Sequence, residues 1–235
     1  MSIFQFKQFT LTQSDSAAKL TTDATIFGAW MPVEANVQNA LEIGAGTGVL
    51  SLMLAQRFPF EIEAVEIDEK AFLEAKRNFL NSPWSNRLTV VHQDFKRFNS
   101  NKKYDLIFSN PPFFTKNLQS PKNAEKNTAY HTNQLPLQAL SDGINEHLTK
   151  DGTAYIMLPT YEMGQFEKLM KQHGLLVTRS ATIHHNHQKA ALRIIHAFSR
   201  SEKKDDEIKK LYVRDENSHF HPDYIQLLKP FLTIF

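Results

Sequence analysis

Asn110-Pro111-Pro112-Phe113 ends the apolar run Tyr104–Ser109, and these four residues form a grip for a planar group that carries an NH2. Two prolines fix φ and donate no ladder hydrogen bond, so the chain must leave a central strand here. The Asn110 side-chain oxygen and the carbonyl of Pro111 or Pro112 are then acceptors with no partner strand. Phe113 adds a ring face on which a flat group can stack. If the Asn110 oxygen and the Pro111 carbonyl accept the two hydrogens of an exocyclic amine, its nitrogen is held and biased toward a tetrahedral shape. Catalysis by such a site is positioning and electrostatics, with no dedicated base.

Upstream, the strand Asn39–Ile43 runs into Gly44, Gly46 and Gly48, followed by the helical stretch Val49–Arg57. Glycines let the chain turn tightly and let a ligand approach the backbone. The spacing G-x-G-x-G differs from the G-x-G-x-x-G of dinucleotide binders. Glu42, two residues before the first glycine, would repel a pyrophosphate but suits a ligand carrying cationic groups. Glu66 ends the next strand, 18 residues past Gly48, near the offset of about 20 residues at which an acid reaches ribose hydroxyls. Asp94-Phe95, after a third strand, offers a carboxylate and a backbone N–H suited to the edge of an adenine.

The elements that must carry these residues alternate. Strands are expected over 39–43, 61–66, 88–92, 104–109, 153–158, 175–182 and 191–198, and helices near 23–30, 47–57, 69–80, 134–148 and 161–173. That alternation predicts an α/β fold with a mostly parallel sheet and helices on both faces. Asp151-Gly152 marks a turn into the fifth strand. The last two strands are joined too tightly for a crossover and should pair antiparallel. The charged run 201–210 reads as a solvated loop, and Pro222 sits where a short final helix starts.

The Asn-Pro-Pro-Phe segment resembles the (Asn/Asp)-Pro-Pro-(Tyr/Phe) motif of amino-group methyltransferases that use S-adenosylmethionine, and Glu42–Gly48 resembles motif I of the class I enzymes. Phe4-x-Phe6-Lys7-Gln-Phe9, then Lys19-x-x-Thr22-Asp23-(x)4-Gly28-Ala29-Trp30, sharpens this. Together these motifs are similar to those of the bacterial tRNA1(Val) (adenine(37)-N6)-methyltransferase family, over nearly the whole chain. The resemblance implies a Rossmann-like class I fold with a seven-stranded sheet and an antiparallel last strand. It implies transfer of a methyl group from S-adenosylmethionine to adenine N6 in tRNA, leaving S-adenosylhomocysteine.

It further implies cofactor contacts at Thr22, Asp23, Glu42, Gly44, Gly46, Gly48, Glu66, Asp94, Phe95 and Asn110. Asn110, Pro111, Pro112 and Phe113 would carry the chemistry. Residues 1–33 would be an N-terminal extension closing the cofactor site of one domain, 1–235. Two departures stand out: Ala18 where relatives often have Met, and Tyr130 where they have Arg before His131.

Residues 114–133 form a long polar stretch after the grip, a substrate lid in which Lys116, Lys122, Lys126 and His131 can meet RNA. Lys7 and Lys19 in the N-terminal segment, and His185 and Lys189 after the sixth strand, are further candidates for the substrate side. His184-His185-Asn186-His187 lacks the companion ligands a zinc site needs, so no metal is expected. Of 235 residues, 41% are hydrophobic and 22% charged, with a net charge of +2 and no cysteine. That excludes a disulfide framework or thiolate metal site and leaves an RNA partner open. No segment reads as a signal peptide or membrane span, so a cytoplasmic monomer is expected. The same grip would serve an amino-methyltransferase acting on rRNA, DNA adenine or protein glutamine, and a non-catalytic relic that binds RNA or cofactor is the alternative of another class.

Overall fold

The computed structural model describes residues 2–14, 19–112, 135–201 and 207–235. The strands β1 (Ile3–Gln5) and β2 (Thr10–Thr12) form a small antiparallel hairpin. Helix α1 (Thr22–Trp30) follows, capped by the Thr21 hydroxyl, which accepts from the Ala24 N–H. Next come β3 (Asn39–Ile43), α2 (Val49–Arg57), β4 (Glu61–Glu66), α3 (Glu69–Leu80), β5 (Leu88–His92), a 3-10 turn over Phe95–Arg97, and β6 (Tyr104–Ser109). The chain continues with α4 (Leu137–His147), β7 (Leu148–Leu158), α5 (Thr160–Gln172), β8 (Leu176–His184), β9 (Ala191–Ser199), β10 (Ile208–Tyr212) and α6 (Pro222–Leu228).

The main sheet has eight strands in the order β10-β8-β9-β7-β6-β3-β4-β5. Only β9 runs against its neighbours. The expected seven strands become eight because Ile208–Tyr212, at the end of the charged run, pairs in parallel with β8 from Ser180 to His184. The antiparallel strand β9 lies between β7 and β8, and β10 takes the edge beyond β8. Its two exposed lysines, Lys209 and Lys210, are the residues natural edge strands use against edge-to-edge pairing. Asp151-Gly152 does not begin a strand. The register jumps from Tyr104↔Leu148 to Leu106↔Thr153, so the turn survives as a bulge inside β7.

Alternation along the strands sends apolar side chains to both faces. Ile62, Ala64, Leu106 and Phe108 pack with α1, α2, α3 and α6, while Leu41, Ile43, Val65 and Ile107 pack with α4 and α5. Parallel strands covered on both sides are expected to be this uniformly apolar. The strands β3, β4 and β5 lie in sequence order on one side, and β6 then returns to the other side of β3. The crevice outside the carboxyl ends of β3 and β6 is the topological switch point, where open α/β sheets bind ligands.

Candidate active site

At the end of β3 the chain turns into α2 through three glycines with left-handed φ: 75° at Gly44, 56° at Gly46 and 79° at Gly48. A side chain at Gly48 would also place its Cβ 2.5 Å from Cε1 of Phe79, so this position excludes one twice over. At Gly44 the space is open, with no atom within 4 Å of where a Cβ would be. The turn is held by N–H donation from Gly44 and Ala45 to the Val65 carbonyl, at 2.9 and 3.2 Å.

Glu66, at the tip of β4, sits under this turn. Its two carboxylate oxygens accept from the N–H groups of Gly46 and Asp68, both at 2.8 Å. Burial pushes its pKa up, and the backbone donors oppose that shift. Two acceptor positions of the four on a carboxylate remain, enough for a ribose diol. The Glu66 carbonyl accepts from Gln93 N–H at 2.9 Å and so fixes the start of the Asp94-Phe95 segment.

Glu42 is placed differently from the expectation of direct ligand contact. Residues on either side of it point to the α4–α5 face, so its own side chain points to α2, where Ser51 Oγ donates to Oε2. It is 1% exposed. Desolvation raises its pKa to about 8, opposed by the Ser51 hydrogen bonds, with a smaller upward push from Glu66. Its position is one of support beneath the glycine turn.

Asp94 caps the 3-10 turn by accepting from Lys96 N–H at 3.0 Å and pairs with the Lys96 ammonium at 3.2 Å. The Phe95 ring is buried against Phe98 and His147. At the end of β6, Ser109 Oγ donates to the Ile43 carbonyl at 2.6 Å, locking the β6 tip beside the β3 tip. Asn110 follows, half-buried, with Pro111 buried and Pro112 exposed. No described residue bonds the Asn110 amide. Phe113, Lys116, Lys122, Lys126, His131 and the 114–133 lid lie outside the described residues.

The other expected contacts spread out. Thr22 is exposed at the start of α1, and Asp23 beside it pairs with Arg193 Nε of β9 at 3.1 Å. Lys7 and Lys19 are exposed, and each ammonium also holds backbone oxygens. Lys7 Nζ donates to the carbonyls of Lys229 and Phe235, at 2.6 and 2.8 Å, and Lys19 Nζ to those of Gln13 and Ser14, at 2.6 and 3.1 Å. These bonds steady the two exposed ammonium groups against their own backbone. His185 and Lys189 are exposed in the β8–β9 turn.

A residue that sequence reasoning missed joins these parts. Asn78 of α3, 2% exposed, accepts from Thr12 N–H at 2.9 Å and donates to the carbonyls of Thr12 and Thr47, at 3.0 and 2.9 Å. It ties the N-terminal hairpin to the glycine turn. Within the amphipathic run Glu69–Leu80 an asparagine reads as a solvent-side residue, so only the docked hairpin reveals it.

A methyltransferase small domain model matches residues 15–157. The tRNA1(Val) (adenine(37)-N6)-methyltransferase of Dyadobacter fermentans is 39% identical over 236 residues, covering 99% of this chain and 98% of that protein. The chain belongs to this family. The enzyme of the same name from Cytophaga hutchinsonii is 37% identical, covering 98% of this chain and 97% of the relative. Among solved structures, a methyltransferase from Pyrococcus furiosus superposes with a TM-score of 0.59 at 18% identity, covering 82% of this chain and 89% of that one. That similarity is one of fold. In this member the glycine turn, Glu66 and Asn110-Pro111-Pro112 share one edge of the sheet.

Proposed function

We infer that the protein methylates N6 of an adenine in tRNA, adenine 37 beside the anticodon of tRNA-Val, with S-adenosylmethionine as donor. The observation that carries this is the near-full-length match to tRNA adenine-N6 methyltransferases, on a chain whose glycine turn and Asn-Pro-Pro grip flank one crevice. When bound, the cofactor supplies a methyl group already activated on a sulfonium.

The residues fit that ligand. Gly44 leaves open space over the turn. Glu66 retains acceptor positions for the ribose, and Asp94 with the Phe95 backbone suits the adenine edge. Thr22 and Asp23 lie on the same edge and would border the methionine end. Asn110 and the Pro111 carbonyl would hold the target amine, Pro112 would stiffen the grip and Phe113 would stack on the base. A reacting base stacked in this way must be unpaired or flipped.

His185 and Lys189, with Lys116, Lys122, Lys126 and His131 of the following segment, would meet the RNA. Residues 1–33 act as an extension that closes the cofactor side of a single domain, with Asn78 as its anchor. All proposed contacts come from one chain, so a monomer suffices, and a tRNA substrate places the enzyme in the cytoplasm. Among the described residues no helix is long and apolar enough to cross a membrane, and no group of three or more His, Asp or Glu could hold a metal.

The test is incubation of the protein and S-adenosylmethionine with total tRNA lacking the modification, followed by mass-spectrometric mapping. N6-methyladenosine at position 37 of tRNA-Val is expected. No methylated adenosine in any tRNA would overturn the reading.

A further inference from the structure

Beyond the crevice, at the same edge of the sheet, three chain segments bring their rings together. His187 lies in the β8–β9 turn, Tyr212 ends β10 and His221 precedes α6. The ring centroids of His187 and Tyr212 are 3.8 Å apart, those of His187 and His221 5.5 Å, and those of Tyr212 and His221 5.6 Å. His184 adds a fourth ring 5.3 Å from Tyr212. His187 is exposed, Tyr212 half-buried.

The backbone beneath is fixed. Val213 and Arg214 N–H donate to the carbonyls of His184 and His185 at 3.0 and 2.8 Å, and His221 N–H donates to Val213 at 3.0 Å. The rings therefore stand on a rigid base. His221 Nδ1 caps α6 by accepting from Asp223 N–H at 3.2 Å, and His184 Nδ1 donates to the Lys189 carbonyl at 3.0 Å. The exposed His187 ring, by contrast, makes no hydrogen bond or ion pair among the described residues.

The segments that carry the stack also carry cations: Lys189, Lys209 and Lys210 are exposed, and the Arg214 guanidinium lies 3.8 Å over the Phe220 ring. The acid at the stack, Asp223, has its carboxylate 3.8 Å from His221 Nδ1, while Asp215 accepts from the N–H groups of Asn217 and His219, both at 2.9 Å. Exposed rings on a stiff base, flanked by cations, are what an unpaired nucleotide needs: a π face and a path for its phosphate. The stack is three to four strands from the β6 tip, or roughly 15–20 Å at the usual strand spacing.

We propose that the His187–Tyr212–His221 stack, with Lys189 beside it, is a second RNA-contact surface that stacks an unpaired nucleotide a few positions away from the reacting base. The proposal rests on the reading that the acceptor is tRNA. It accounts for an exposed aromatic pile on the ligand-binding edge that the transfer chemistry does not use.

The test measures binding of an anticodon-arm RNA by fluorescence anisotropy over a range of salt, alongside calorimetry of cofactor binding. His187→Ala and Tyr212→Ala are expected to weaken RNA binding by about 5- to 150-fold each, the range for losing one base–aromatic stack. The salt slope should hold, because no phosphate contact is lost. Tyr212→Phe should bind like the parent. Cofactor affinity should not move in any variant. His187 makes no fold-bearing hydrogen bond, so its variant decides the matter even if Tyr212→Ala is unstable. If the parent methylates tRNA while His187→Ala binds RNA with full affinity, the surface is overturned and the substrate reading stands. If the parent neither binds nor methylates RNA, both fall together.

Discussion

Around the ends of β3 and β4 the polar groups are already engaged. Glu66 holds two backbone donors, Glu42 holds Ser51, and Asn78 holds three backbone groups. At the end of β6 the situation is reversed: below Asn110 the strand is locked by Ser109, but no described residue bonds the Asn110 amide. The first region is built before any ligand arrives. The second presents its hydrogen-bonding capacity to whatever enters. Preorganisation on one side and availability on the other suit a transfer in which one partner is clamped and the other must be aimed.

The contrast predicts that damage to the two regions separates kinetically. Asn110→Ala removes the acceptor proposed to hold the target amine. Turnover at saturating substrate should fall on the order of 10²-fold or more, with cofactor affinity nearly unchanged by calorimetry. Turnover at the parent rate would break the comparison and with it the assignment of the grip.

Glu66→Ala should do the opposite. Cofactor binding should weaken by about 1–3 kcal/mol, the range for lost charge-assisted hydrogen bonds, and unchanged binding by calorimetry would remove Glu66 from the ribose. Asn78→Ala leaves the Thr12 and Thr47 backbone groups without their partner. A loss of about 1–2 kcal/mol in denaturant unfolding is expected. Faster amide exchange in β1 and β2 should accompany it, and hairpin exchange at the parent rate would show that the clamp does not couple the two regions.

The smallest effect is one of pH. The Glu42 carboxyl ionises near pH 8 in the folded chain against a reference of 4.5. A raised folded pKa means the native state holds the proton more tightly. Glu42 therefore contributes stability that is full below about pH 4.5 and is lost as pH rises toward and through 8. Glu42→Gln keeps an acceptor for Ser51 and cannot ionise. Its melting temperature should gain on the parent as pH increases from 5 to 9, and parallel melting curves would show that the carboxyl is not held in this way.

Much of this was legible in the residues. The boundaries expected for β3, β4, β5 and β6 coincide with those observed, because short apolar runs bounded by Gly, Pro and charged residues leave little choice. The glycine turn and the Asn-Pro-Pro exit were equally plain, since φ restrictions belong to the residue itself. What could not be read depended on tertiary partners. β10 follows a run of Lys, Asp and Glu and has no pattern apart from its pairing with β8. The carbonyls that Lys7 and Lys19 bind cannot be read from sequence, because they belong to segments that meet only in the fold. Glu42 appears available in sequence and is buried by α2, and the ring stack assembles from three distant segments.

The contacts of Lys7 have a consequence for how distant parts of the chain are coupled. Phe6 bridges to Leu232, Lys7 N–H donates to Phe231, and the Lys7 ammonium reaches the carbonyls of Lys229 and Phe235. The two ammonium bonds join positions 222 and 228 residues apart in sequence. Contacts that distant carry a large loop-closure cost unless the β3–β6 core has already drawn the two segments together. The hairpin is therefore coupled to the segment after α6, and loosening that segment would release the hairpin that Asn78 ties to the glycine turn.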